Sequence, residues 1–262
     1  MALDKSTVGG IVIALAGIGI GLIYDGGKLA QILQPTAALI VLGGTIGAVM
    51  VQFPLRTVIL AVGHLKDVFL NRDPDPEFLV QNLLHYAQKA RREGLLSLDS
   101  ELDNIQDPFL KETLMLAIDG VHSADLRKMM ELQLDYQSEK NQGIAKVFEA
   151  AGGFAPTIGI IGAVLGLIQV MQQLQDINEV GKGIAVAFVA TIYGVGSANL
   201  FFLPAAGKLK IRMRQRQVVQ EMTLEAILLI IEGVNPRALE LQLGSYLVAP
   251  ARNELPKAVT TA

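Results

Sequence analysis

The chain has 262 residues, of which 51% are hydrophobic and 18% charged, with a mean hydropathy of +0.42 and a formal charge of −3. This is too apolar for an ordinary soluble protein and too charged to lie wholly in a bilayer, so a membrane part and a substantial aqueous part are both expected. The lack of cysteine excludes disulfides and thiolate metal sites, His64, His85 and His122 are too far apart for a local metal motif, and so small a charge does not point to nucleic acid; no cofactor is expected.

A short polar tail, MALDKST, precedes the first apolar run, residues 8–24. Its flank holds one lysine beside Asp4, and a second apolar run follows at once, so a membrane span is expected and not a cleaved leader. Tyr24-Asp25-Gly26-Gly27 reads as a turn, and residues 36–53 form the return span, closed by Pro54. Gly17/Gly21 and Gly43/Gly47 have the spacing that lets another helix backbone approach closely. Residues 1–54 thus read as a transmembrane hairpin.

Residues 55–146 read as a cytoplasmic helical domain with no strand signal. Asp73-Pro74-Asp75-Pro76-Glu77 is a turn leading into a helix, on which Phe78, Leu79, Leu83, Tyr86 and Ala87 recur at helical spacing. Gly94 breaks that pattern ahead of LLSLDSELDNIQ, and Asp107-Pro108 opens the next short helix. From 123 to 149 an amphipathic pattern (Leu126, Met129, Met130, Leu134, Ile144, Val147, Phe148) runs without proline into the third span, so one helix is expected to continue into the membrane.

The third span, 151–171, contains Pro156, which leaves the Gly152 carbonyl without its usual donor, and Gly159, Gly162 and Gly166, which open one side to a neighbouring helix. The fourth, 184–203, is expected to stop at Pro204; spans three and four make up residues 147–206. Lys208, Lys210, Arg212, Arg214 and Arg216 then follow, whereas the other flanking loops hold Lys28 and Lys182. By the positive-inside rule this end is cytoplasmic, and four spans put both termini and the 55–146 domain there too. Residues 207–262 read as a helical tail, with Gly233 as a helix stop, Asn235-Pro236 as a restart, and disorder expected past Pro250. The fold class is therefore an all-α membrane protein with four transmembrane helices, a cytoplasmic helical domain between the second and third, and a helical cytoplasmic tail.

On this topology Pro156 and Pro204 lie near the cytoplasmic ends of their spans, at similar depth. Polar side chains within the spans are the hydroxyls of Thr45, Thr157, Thr191, Tyr193 and Ser197, with Asn199 and Gln169 near the ends and no carboxylate. Ion carriers usually place an acid or histidine in the membrane, so if this chain conducts cations a partner must bring the acid.

The order of four spans with a large loop between the second and third, together with ARREGLLSLDSEL, APTIGIIGAVLGL, ATIYGVGSANLFFLP and EGVNPRALE, closely resembles the MotA/PomA family of flagellar stator subunits over residues 8–247. The resemblance implies an ion-conducting stator subunit in the bacterial inner membrane, multi-pass and not an enzyme, with five copies around a dimer of a single-span MotB/PomB-type partner. That partner carries the membrane aspartate and grips peptidoglycan. It also implies that Pro156 and Pro204 couple ion flow to movement, that Thr191 faces the pore, and that Arg91 and Asp99 engage the rotor protein FliG. The family usually has glutamate where this chain has Asp99, so either Asp99 reaches less far or neighbouring Glu101 and Arg92 share that task; the competing reading of these charges is a solvated surface. Sodium-driven relatives carry a threonine at the place of Ala163, seven residues after the span-three proline. The expected coupling ion is therefore the proton, unless Ala163 serves only to pack. An ExbB/TolQ-type energiser, with one span before the cytoplasmic domain, is the alternative.

Overall fold

The computed structural model describes residues 2–71 and 76–248. Among them lie eight principal helices: α1 (Lys5–Tyr24), α2 (Pro35–Gln52), α3 (Leu55–His64), α4 (Pro76–Glu93), α5 (Pro108–Ile118), α6 (Ser123–Gln172), α7 (Ile177–Ile231) and α8 (Pro236–Val248). Between α4 and α5 the chain forms a 3-10 segment, Leu95–Asn104. Four helices are long and apolar enough to span a membrane, α1, α2, α6 and α7, which is the fold class expected. The turn at 73–75 and the tail past Pro250 lie outside the described residues.

Local chemistry accounts for the helix ends. Asp4 caps α1 by accepting from the Ser6 and Thr7 amides at 3.0 and 3.2 Å, Asp107 caps α5 through the Leu110 amide at 2.8 Å, and Asp176 caps α7 through the Asn178 amide. Pro35 and Pro108 start helices at positions whose amides have no partner anyway. Gly233, at φ +71°, ends α7, and the Asn235 side chain then accepts from the Arg237 amide at the start of α8, as expected.

Three expectations about elements need correction. The helix of the fourth span does not end at Pro204: α7 continues unbroken to Ile231. Just before the proline, Ala198–Phe202 is wound as a π-turn, with the Leu203 amide donating to the Ala198 carbonyl five residues back. This widened turn accommodates a pyrrolidine ring that would clash with the carbonyl four residues back in a regular helix. The region after the hairpin is also not free of extended structure, because Leu70–Asn71 pairs antiparallel with Ala2–Leu3. And Phe78 and Met129, expected on apolar faces, are 63% and 50% exposed; Val80 is buried on α4, and of the two methionines expected to face inward on α6 Met130 is buried.

Spatially the chain forms two compact units, Met1–Arg72 with Lys140–Ile211, and Asp73–Glu139 with Arg212–Ala262. The second unit has its own core: Leu83 and Tyr86 of α4, Leu98 of the 3-10 segment, Leu110 and Leu114 of α5, Leu126 and Met130 of α6, Ile227 of α7, and Leu239 and Leu243 of α8. Truncating a fully buried leucine such as Leu114 to alanine would cost about 2–5 kcal/mol.

The first unit contains the spans. There α2 packs on α7 through Ala37, Val41, Val189 and Ala190, whereas no residue of α1 is buried. The N-terminus is tied down: the Asp4 amide donates to the Phe69 carbonyl at 2.8 Å, Thr7 to the Val68 carbonyl at 3.3 Å, and Lys208 of α7 pairs with the Asp4 carboxylate. The bond from Lys208 holds the Asp4 carboxyl well below the usual carboxylate range.

Candidate functional site

The α6/α7 contact is made by backbones. A Cβ placed on Gly159 would lie 2.9 Å from the Ala190 carbonyl oxygen and 3.5 Å from the Thr191 Cα; on Gly162, 2.8 Å from the Ala190 Cβ; on Gly166, 2.7 Å from the Gly183 carbonyl oxygen. From the α7 side, a Cβ on Gly194 would come within 2.6 Å of the Ala155 carbonyl oxygen. These four glycines hold α6 and α7 at a separation that no larger residue permits, as the glycine spacing of the third span implied. The pairs on the first two spans behave differently. Gly17, Gly21, Gly43 and Gly47 meet nothing of this chain within 4 Å, and it is Gly44 that abuts α6, at Ile158.

The two prolines lie at neighbouring heights, since Gly152, one turn before Pro156, packs on Leu203, the residue before Pro204. Pro156 is half-buried within continuous α6, and Pro204 is exposed. Neither ends a helix. Ala163 is half-buried and lies one turn from Gly159 on the same flank of α6. Opposite, Thr191 is half-buried and donates to the Ala187 carbonyl at 3.2 Å.

The other polar groups of the spans are likewise turned to backbone. Thr157 donates to Phe154 O at 2.8 Å, Ser197 to Gly194 O at 3.2 Å, and the Asn199 amide to Val195 O at 2.9 Å. A hydroxyl that donates to its own helix still offers lone pairs, so Thr191 can accept from a water beside it. Thr45 differs: it is buried and its hydroxyl has no partner, one turn after the π-turn Leu39–Gly43 of α2. Tyr193, another of the hydroxyls within the spans, is bonded to the segment ahead of α2. Its hydroxyl donates to Ile32 O at 2.6 Å and accepts from the Gln34 amide at 3.3 Å, fixing the segment that leads into α2. No periodicity signals such a tyrosine; only the fold brings residues 32 and 193 together.

In the second unit, Arg91 and Arg92 close α4, Gly94 turns the chain at φ +86°, and Asp99 lies in the 3-10 segment beyond. Arg91, Arg92 and Asp99 are exposed and make no ion pair among the described residues. Glu101 is not equivalent to Asp99. It is half-buried and bonded to Lys89 at 2.5 Å, and that bond lowers its carboxyl below the ordinary value. Among the described residues no cluster of side chains has the make-up of a metal site.

Comparison with known proteins bears on both regions. A family model described as "MotA/TolQ/ExbB proton channel family" matches residues 101–222, and one described as "Motility protein A N-terminal" matches residues 8–94. Motility protein A of Bacillus subtilis (strain 168) is 34% identical over 97% of this chain and 93% of its own. Among solved structures, C. jejuni MotAB superposes with a TM-score of 0.89 at 32% identity, covering 98% of this chain and 100% of that one. The flagellar MotAB stator complex from Bacillus subtilis gives 0.87 at 34% identity, covering 95% and 98%.

Proposed function

The chain belongs to the motility protein A family and is an ion-conducting stator subunit of the flagellar motor; from this premise we propose that it works with a MotB-like single-span partner and is driven by protons. The observation that bears on the choice of ion is that Gly159 of the seam abuts Thr191 and that Ala163 follows one turn along α6, so this stretch offers a methyl group and a single hydroxyl. A sodium ion that sheds water wants several oxygen ligands, whereas a proton needs an acid to occupy and a water or hydroxyl nearby. The acid comes from the partner. Swimming speed at fixed pH should then be independent of sodium and collapse with an uncoupler; speed that tracks sodium and resists the uncoupler would refute proton coupling.

The N-terminal tie supports the membrane orientation. Asp4 pairs with Lys208, the first residue of the basic run, so both lie on the side that the positive-inside rule assigns to the cytoplasm. Because the chain has no cysteine, single-cysteine variants report this directly. An impermeant maleimide applied outside should label Asp25→Cys and spare Ser6→Cys.

Each charge crossing 100 mV releases about 2.3 kcal/mol, which suits small repeated steps of weak contacts. In this reading five copies surround the partner, and Arg91 with Asp99 meets the rotor protein FliG while Pro156 and Pro204 couple ion passage to movement. Exposed charge pairs are worth under about 1 kcal/mol, so such a contact forms and releases easily. Glu101 is held by Lys89, which leaves Arg92 to assist Asp99.

A further inference from the structure

Between α1, α2 and α7 lies a cavity of about 700 Å³, walled by Ile11, Leu15, Ile18, Leu42, Ile192 and Leu200 among others. Its two hydroxyls, on Tyr193 and Ser197, already donate to backbone carbonyls, so the wall has little to hold water. At one end it shares Ile11, Leu200 and Phe201 with a second cavity of about 360 Å³, and there the wall changes character, adding Ser6, Thr7, Asn199 and Lys208. The two make one groove, apolar along its length and polar at the end where the basic run begins. At that end the Lys208 ammonium bonds the Asp4 carboxylate and the Ser6 hydroxyl, setting a cation and an anion side by side.

The polarity decides between occupants: the groove is apolar along its length and charged only at the end where the basic run begins, the pattern of an acyl chain joined to a charged head group.

We propose that this groove is a binding site for an aminophospholipid of the phosphatidylethanolamine class. One acyl chain fills the cavity between α1, α2 and α7, the phosphate accepts from Lys208, and the ammonium faces Asp4, to which the Ser6 hydroxyl donates at 2.9 Å. A head group carrying both charges matches the Lys208/Asp4 pair, whereas a purely anionic one leaves Asp4 facing negative charge; of the zwitterionic ones, a primary ammonium can donate to Asp4 and a quaternary choline cannot.

The test uses the full chain purified with its single-span partner, delipidated and offered phosphatidylethanolamine, phosphatidylglycerol or phosphatidylcholine, with native mass spectrometry reading lipid adducts. Wild type should retain phosphatidylethanolamine several-fold over the other two. Gly196 lines the large cavity and Gly10 the smaller, and a Cβ on either meets nothing within 4 Å, so the backbone admits a side chain at both places and Gly196→Leu and Gly10→Leu narrow the groove. Both should lower retention at least fivefold with the complex mass unchanged, and Lys208→Gln should abolish the preference among head groups. Equal retention by Gly196→Leu and wild type overturns the site, and equal retention of phosphatidylglycerol overturns the head-group assignment. A photocrosslinker at Ile18 that joins two copies of this chain in place of a lipid shows that a neighbouring subunit occupies the groove and also overturns it.

Discussion

Gly194→Ala is the sharpest probe of how the two inner spans are held. The new Cβ would lie 2.6 Å from the Ala155 carbonyl oxygen and 3.0 Å from the Gly159 Cα, where ordinary contact begins at 3.4 Å. Both obstacles are backbone, so no side-chain rotation relieves them, and the helices must separate by about 0.8 Å. Forcing one extra carbon into a packed interior costs about 1–3 kcal/mol. The separation also falls one turn from Thr191, so coupling should suffer along with stability. Denaturation of the purified protein in mixed micelles, followed by circular dichroism, should show a lowered midpoint for Gly194→Ala. Gly207→Ala, also on α7, is the control: its Cβ meets nothing, and alanine in a helix is about 1 kcal/mol better than glycine, so its midpoint should hold or rise. A Gly194→Ala protein that unfolds with wild type, or a control that falls as far, would refute the backbone contact.

Three further outcomes are expected. Pro156→Ala supplies a helix amide and should leave assembly intact while abolishing torque, and Pro204→Ala should do the same; normal swimming by either variant removes that proline from the mechanism. Arg91→Glu should impair motility with almost no loss of stability, and a compensating charge change on the rotor should partly restore it; failure of every such change returns Arg91 to an ordinary solvated charge. Glu101→Gln should cost about 0.5–1 kcal/mol at neutral pH through its lost bond to Lys89. Because folding lowers the Glu101 carboxyl, that stability is present above its ordinary value of 4.5 and is lost as pH falls through the lowered one, so the variant and wild type should converge in acid; a gap unchanged by acid would place the cost elsewhere.

The helices were legible because their signals are local. Asp and proline starts, a glycine stop at Gly233 and apolar runs of 17 or more residues are each read within a few turns, and α1, α2, α6 and α7 follow from them. Pro204 misled because a proline after an apolar run is a stop signal only if the preceding turn is regular, and Ala198–Phe202 is not. The strand pair between Ala2–Leu3 and Leu70–Asn71 joins segments 68 residues apart, and nothing in either announces the other. Glu101 shows the same limit at the candidate rotor surface: its charge and position beside Asp99 resemble a second contact, and only the fold shows Lys89 already bonded to it.

Small-residue spacing marks a helix that can be approached and does not name what approaches it. Gly159, Gly162 and Gly166 meet α7 of their own chain, while Gly17, Gly21, Gly43 and Gly47, with equivalent spacing, meet nothing of it. Over the same surface α1 buries no residue and leaves Val12, Ile13, Leu15, Ile18, Ile20 and Ile23 exposed. In lipid an exposed isoleucine costs little, but glycines spaced for close backbone contact gain only when a second backbone arrives. The seam between α6 and α7 is therefore closed by intramolecular contacts, while α1 and the glycine pairs of the hairpin are left to lipid or to neighbouring chains. The spans hold no carboxylate, and the hydroxyls of Thr157, Thr191 and Ser197 are turned to backbone. In the function proposed above, a subunit built this way supplies the scaffold and a partner supplies the acid.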